Sequence, residues 1–291
     1  MKRFLAVMLL LSVLFAALPA ATQETTPVAC DPQVNYVAAG DTNVTLELWP
    51  EALDAYTCAL ELGQEPAMTH YRRARVASQL ERFDEAIADL TRAFELEPRF
   101  ARALYSRGLI YRRLGNPDQA IADFTQATQV NPNYTQAYHL RALVYGRGGN
   151  WEASLNDLNT VISLDPEWAV AYNNRGYVLN VLGNTEAALQ DYETALSLDP
   201  TLAVTLTNRG NIHAAQGNVE AAISDFNQAI FVNPNFLNAY RALGNVLYDQ
   251  GRAAEALPAY ERYLTLAGEG ARQDIRDRVA QLQAQVGTSQ G

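Results

Sequence analysis

Apolar residues recur along most of this chain at intervals of three and four, the spacing that keeps side chains on one face of a helix. From Ala67 onward the pattern itself repeats every 34 residues. Each unit carries one stripe at positions 4, 7, 8 and 11 and a second at positions 20, 24 and 27, so each is expected to fold as two helices. Units begin at Ala67, Ala101, Thr135, Ala169, Ala203 and Leu237 and run in register, without an insertion, over residues 67–270.

The punctuation agrees with the stripes. Gly115, Gly149, Gly183, Gly217 and Gly251 stand at position 15, where a left-handed residue closes the first helix. Asn116, Asn150, Asn184 and Asn218 follow and are expected to cap the second helix. That helix is expected to end at Pro98, Pro132, Pro166, Pro200 and Pro234. Small residues hold position 8 (Ala74, Gly108, Ala142, Gly176, Gly210, Gly244) and, as alanine or serine, position 20. Large ones fill position 24: Leu90, Phe124, Leu158, Tyr192, Phe226 and Tyr260. A helix pair with one apolar face cannot bury it alone, so the units must stack into a solenoid.

On these residues the chain resembles the tetratricopeptide-repeat (TPR) family, and the resemblance covers about 70% of it. It implies an all-α, right-handed superhelical solenoid of antiparallel helix pairs, with a concave groove, lined by the first helices, that binds peptides or protein segments. Six full repeats are expected, at 67–100, 101–134, 135–168, 169–202, 203–236 and 237–270.

Position 7 departs from the family's usual leucine: Arg73, Arg107, Arg141, Arg175 and Arg209 stand there in units one to five. Position 23 is aspartate in the same five: Asp89, Asp123, Asp157, Asp191 and Asp225. In unit six both change together, to Leu243 and Ala259. Charges beside a core that appear and vanish jointly are expected to be structural ion-pair partners, because one alone would be left unpaired.

At the ends, Trp49–Gly63 matches the second helix of a degenerate repeat over 33–66, whose first helix is expected to be short, around Tyr36 to Ala39. Ile275, Val279, Leu282 and Val286 mark a capping helix over 271–286, with a loose tail at 287–291. Lys2 and Arg3 precede an apolar run from Phe4 to Leu18, the plan of a signal peptide over 1–20 that leaves an arm at 21–32. The run is short for a membrane span; cleavage near Ala20 is expected, with no span after it, and the alternative is a segment kept as an uncleaved anchor. The protein is therefore expected to be exported, to the periplasm, the cell envelope or the medium. Cys30 and Cys58, the two cysteines, are expected to pair, at a gain of about 3 kcal/mol.

Charge excludes one class of partner. The formal net charge is −10, and −12 without the leader, which makes nucleic acid a poor partner. Enzyme signals are nearly absent. Gly287–Gly291 fits G-x-S-x-G only where the chain ends, and His70, His139 and His213 lie in separate units without metal-ligand spacing. No catalytic residue, metal or cofactor is expected.

The groove remains. Positions 2, 5, 9, 12 and 13 of the first helices face it in the family. In units one to three they include Tyr71, Arg75, Arg102, Tyr105, Arg112, Arg113, His139 and Arg147. In units four to six they include Asn173, Tyr177, Asn180, Asn211, Arg241, Asn245 and Tyr248. The family's carboxylate clamp has lysine and asparagine at positions 5 and 9, where this chain has Tyr71 and Arg75, so that clamp is not carried over. A groove basic at one end and amide-rich at the other is expected to bind a peptide or protein segment, acidic at the basic end. The rival expectation is an anionic small molecule or envelope polysaccharide at the Arg and Tyr cluster of repeats one to three.

Overall fold

The structure, a computed structural model, describes residues 30–288. The expected leader, the start of the arm and the last three residues lie outside the described residues. Every regular element described is helical. The degenerate first unit is α1 (Tyr36–Thr45) and α2 (Trp49–Glu61), followed by α3 (Pro66–Gln79) and α4 (Phe83–Leu96), then α5 (Ala101–Arg113) and α6 (Pro117–Val130). The third to fifth repeats are α7 (Thr135–Arg147) with α8 (Trp151–Leu164), α9 (Ala169–Val181) with α10 (Thr185–Leu198), and α11 (Ala203–Ala215) with α12 (Val219–Val232). The sixth is α13 (Leu237–Asp249) with α14 (Ala253–Ala267), and after a 3-10 turn at Gly268–Gly270 comes α15 (Gln273–Thr288). Each helix packs on the next in sequence, which makes an α-solenoid.

Three local expectations are corrected. The first helix of the degenerate unit is longer than expected, running to Thr45 with its start capped by the Asn35 side chain. Of the four asparagines at position 16, only Asn150 caps with its side chain, accepting from Ala153 N–H at 3.2 Å. All four, Asn150 included, give their backbone N–H to the preceding helix, as Asn116 does to Tyr111 at 2.9 Å, and so help close it around the left-handed glycine. The final helix continues through Thr288, past the expected start of a tail, because a single glycine weakens a helix by only about 1 kcal/mol.

The core is thin and built at the junctions. Phe124 packs with Val144, Leu158 with Val178, and Tyr192 with Ile212, so the large residue at position 24 always reaches the first helix of the next unit. No cluster of this kind belongs to one repeat alone. Within a unit, the same large side chain sets the residue at position 8. A Cβ added to Gly108, Gly176, Gly210 or Gly244 would fall 2.5–2.8 Å from the ring of Phe124, Tyr192, Phe226 or Tyr260. Where position 24 is leucine, as at Leu90 and Leu158, position 8 has room for Ala74 and Ala142.

The five arginines at position 7 are bound in a uniform way. Each donates Nε and one terminal nitrogen to both oxygens of the aspartate 16 residues on, at 2.6–2.9 Å. The fork joins the two helices of one repeat, and its parallel geometry is what a planar guanidinium and a carboxylate do best. The remaining nitrogen reaches back to position 25 of the preceding repeat: Thr57 for Arg73, Thr91 for Arg107, Thr125 for Arg141 and Asn159 for Arg175. At the last junction Glu193 holds that place and acts on Arg209 through its charge. In repeat one, His70 Nδ1 also meets Asp89, at 2.8 Å.

The solenoid ends are fastened separately. Cys30 and Cys58 are joined by a disulfide, which ties the arm to α2. Ile275, Val279 and Leu282 of α15 are buried against Val246, Leu247, Tyr260 and Tyr263, covering the face that a seventh repeat would have covered.

Two outcomes follow from this packing. Arg141→Leu alone leaves Asp157, 8% exposed, without its partner, and should cost about 3–5 kcal/mol in urea unfolding. Arg141→Leu with Asp157→Ala, the combination that unit six already folds with, should recover most of that loss. Gly210→Ala should cost about 1–3 kcal/mol by overpacking against Phe226, and Phe226→Leu should cost less in the Gly210→Ala background than alone.

Candidate functional site

The first helices α3, α5 and α7, with α1 and α2, flank a cleft of about 820 Å³ at the N-terminal end of the groove. Five arginines line it, Arg72, Arg75, Arg112, Arg113 and Arg147, and Asp41 is the one carboxylate among its lining residues. Two of the five are already engaged. Arg72 binds Asp41 at 3.3 Å and Glu65 at 2.9 Å. Arg113, placed at the groove by sequence, pairs with Glu81 and lies 4.8 Å over the Phe83 ring. Arg75, Arg112 and Arg147 meet no carboxylate within salt-bridge reach among the described residues. Arg102 is exposed at the start of α5 but does not line the cleft.

The aromatic groove residues form a floor more than a set of free ligands. Tyr71, Tyr105 and His139, all at position 5, stack on the aromatic residue that ends their own unit: Phe100 at 5.0 Å, Tyr134 at 4.9 Å and Trp168 at 4.6 Å. Burial pushes the Tyr134 hydroxyl up to about 12 and also raises Tyr105. Both stay neutral at physiological pH and cannot supply anionic oxygens to a ligand.

The amide half of the groove divides. Asn173 is buried, and its side chain is spent inside the protein. Its Oδ1 accepts from Thr205 at 3.0 Å and Asn208 at 3.2 Å, while its Nδ2 donates to Asn174, which donates in turn to His139 Nε2 at 2.9 Å. This chain of amides crosses three repeats along the groove floor. Asn245 accepts from Tyr260 and Arg278, and Tyr248 donates to Gln281 beneath the Arg278 guanidinium. The capping helix thus covers both, contrary to their expected place on the open groove. Asn180 and Asn211 are exposed and share a recess with Thr185 and Gln216. Tyr177 is also open, 48% exposed, beside Trp151.

Sequence reasoning missed Trp151, Gly146 and Ser154, which line a smaller cleft of about 350 Å³ between α7, α8 and α9. The available signal was the serine at position 20, where every other repeat has alanine. Among the described residues, one group of three potential metal ligands lies close together, Cys30, Cys58 and Glu61, and its two sulfurs are joined to each other.

The amide chain has a titratable end. Burial, and then the charge of Arg112, lower the pKa of His139 below its ordinary value of 6.5. Its neutral form accepts from Asn174, and the protonated form would set donor against donor. Folding therefore disfavours the proton, so stability is intact above pH 6.5 and falls as pH drops toward the lowered value. Unfolding at pH 7 and about pH 5 should show a loss in the wild type that is smaller in His139→Gln.

Two family models described as tetratricopeptide repeat match the chain, one over residues 71–137 and 207–271 and the other over 169–202. Together they span more than half of it. No curated protein matches the chain in sequence. Among solved structures, a tetratricopeptide repeat protein from Parabacteroides merdae superposes with a TM-score of 0.63 at 15% identity, over 85% of this chain and 97% of that one. YrrB, described as a TPR protein with an unusual peptide-binding site, gives 0.56 at 24% identity, over 65% and 98%. MamA of Desulfovibrio magneticus RS-1 gives 0.55 at 19%, over 59% and 97%. At these identities the likeness is one of fold. With its repeat register, its stacked helix pairs and these matches, the chain belongs to the tetratricopeptide-repeat family.

Proposed function

We propose that this protein is an exported, non-enzymatic interaction scaffold whose concave groove binds a peptide or protein segment, with an acidic stretch of that partner at Arg75, Arg112 and Arg147. One observation carries the reading. Three arginines without carboxylate partners among the described residues converge on one cleft in a chain whose formal net charge is −10. Such a local reversal of sign draws anionic groups out of solution and orients them. The exposed amides of Asn180, whose Oδ1 also accepts from Thr185 at 3.3 Å, and of Asn211 lie further along and suit the backbone of an extended segment. The likeness to YrrB supports a peptide in this kind of groove. The apolar leader and the Cys30–Cys58 disulfide support an oxidising compartment outside the cytoplasm, in the periplasm, the envelope or the medium.

An anionic small molecule or an acidic polysaccharide is the second reading, because the cleft's volume lies in the range of small-ligand sites. The two differ in how much of the groove they use. With binding measured by calorimetry on acidic peptides and on polyuronate fragments, Arg75→Ser, Arg112→Ser and Arg147→Ser together should weaken a peptide by roughly tenfold or more. Added salt should weaken it further. Asn180→Ala or Asn211→Ala should weaken the peptide as well. Affinity for polyuronate alone, insensitive to the two asparagines, would favour the second reading, and no binding of either would sink both.

A further inference from the structure

The two clefts described above open at the same kind of place in the repeat. In repeats two, four, five and six a buried ring at position 24 lies on the glycine at position 8 and fills the space between the two helices. Repeats one and three have Ala74 with Leu90 and Ala142 with Leu158 instead, and each of these pairs lines a cleft. Leucine is shorter than a ring, so the interhelical gap is left open toward the groove. In repeat three the gap is widened by Gly146, one turn beyond Ala142, whose missing side chain leaves the Trp151 ring bare.

The two clefts differ in character. The first is basic. The second has walls of Trp151, Tyr177, Val178 and Leu158, and the Ser154 hydroxyl that lines it already donates to the Ala142 carbonyl at 2.9 Å. It offers contact area and few unused hydrogen bonds, which suits an apolar side chain. Arg147 lines both clefts, so a ligand held by its charge ends beside the apolar one. Beyond it, away from the basic end, Val170, Val181 and Val204 are also exposed on α9 and α11.

We infer that the cleft of repeat three is an anchor pocket for one bulky apolar side chain of the partner, so that the recognised element is an acidic cluster next to a phenylalanine, leucine or tryptophan. This rests on the peptide reading of the groove and narrows it. Charge complementarity at Arg147 selects an acidic segment as the occupant, and the ringless gap beside it sets the apolar residue.

The test uses fluorescein-labelled peptides in which an aspartate cluster and a single phenylalanine are separated by spacers of varied length, against the same peptides with alanine for phenylalanine. Anisotropy should show the phenylalanine peptide binding roughly tenfold tighter or more at one spacer length, the gain from burying one large side chain. Ala142→Gly with Leu158→Phe gives repeat three the glycine and ring of its neighbours and fills the cleft from inside. In that variant the preference should fall below about twofold while the acidic cluster still binds. Gly146→Leu fills the same space from the first helix and should act alike, since a Cβ there meets only ordinary contacts, 3.4 Å from Trp151 and 3.6 Å from Ser154. Acidic peptides that bind with no preference for phenylalanine, or a preference that survives both variants, overturn the anchor and leave the groove reading standing. If no acidic peptide binds at all, the groove reading falls first and the anchor with it. Self-association of the purified protein that disappears in the filled variant would put a second copy of the chain in the cleft and overturn the partner proposed here.

Discussion

The fold depends on how a charged fork is held inside a thin core. Each arginine at position 7 grips both oxygens of its aspartate and extends its third nitrogen toward the helix before it, so one guanidinium fixes three helices at once. Arg141 is 13% exposed and Asp157 8%, so most of the pair is out of water. Such a pair adds little net stability over an apolar one, yet breaking it is costly, and its geometry admits one relative placement of the helices. The alanine-rich contacts around it are less particular. In this account the apolar residues drive the stacking and the forks set the angle at which the repeats stack.

That rigidity gives meaning to small differences between repeats. When position 24 changes from a ring to a leucine, the helices do not collapse on the gap, and a cleft remains. The groove is therefore not uniform. Basic, apolar and amide surfaces follow one another from the first repeats toward the fifth, and α15 closes the far end over Asn245 and Tyr248. A partner would meet these surfaces in a fixed order and spacing.

Much of this was legible in the sequence, for identifiable reasons. The 34-residue period, the glycines of position 15 and the prolines that follow the second helices report backbone requirements that few other residues meet. The joint loss of charge at Leu243 and Ala259 pointed to ion pairs between positions 7 and 23, and the structure places each pair within one unit. The fork's third arm was not visible, because the partner lies in the preceding unit and changes from threonine to asparagine to glutamate along the chain. The groove was misread where a side chain turns sideways. Asn173 looks like an open amide by position, but Thr205 and Asn208 in the next repeat consume it. Asn245 looks open until Arg278, 33 residues on, bonds to it. Clefts made by what is missing, as at Gly146, leave the faintest trace in a pattern of residues that are present.

The central claim is that the arginines form two classes, one locked into the scaffold and one waiting for a ligand. An NMR spectrum of the arginine Nε–H groups, recorded with and without an acidic peptide, separates them directly. The account predicts five slowly exchanging signals, from Arg73, Arg107, Arg141, Arg175 and Arg209, that do not move on titration, while those of Arg75, Arg112 and Arg147 shift together. Movement of the five scaffold signals, or indifference of the three groove arginines to every acidic peptide, would contradict it.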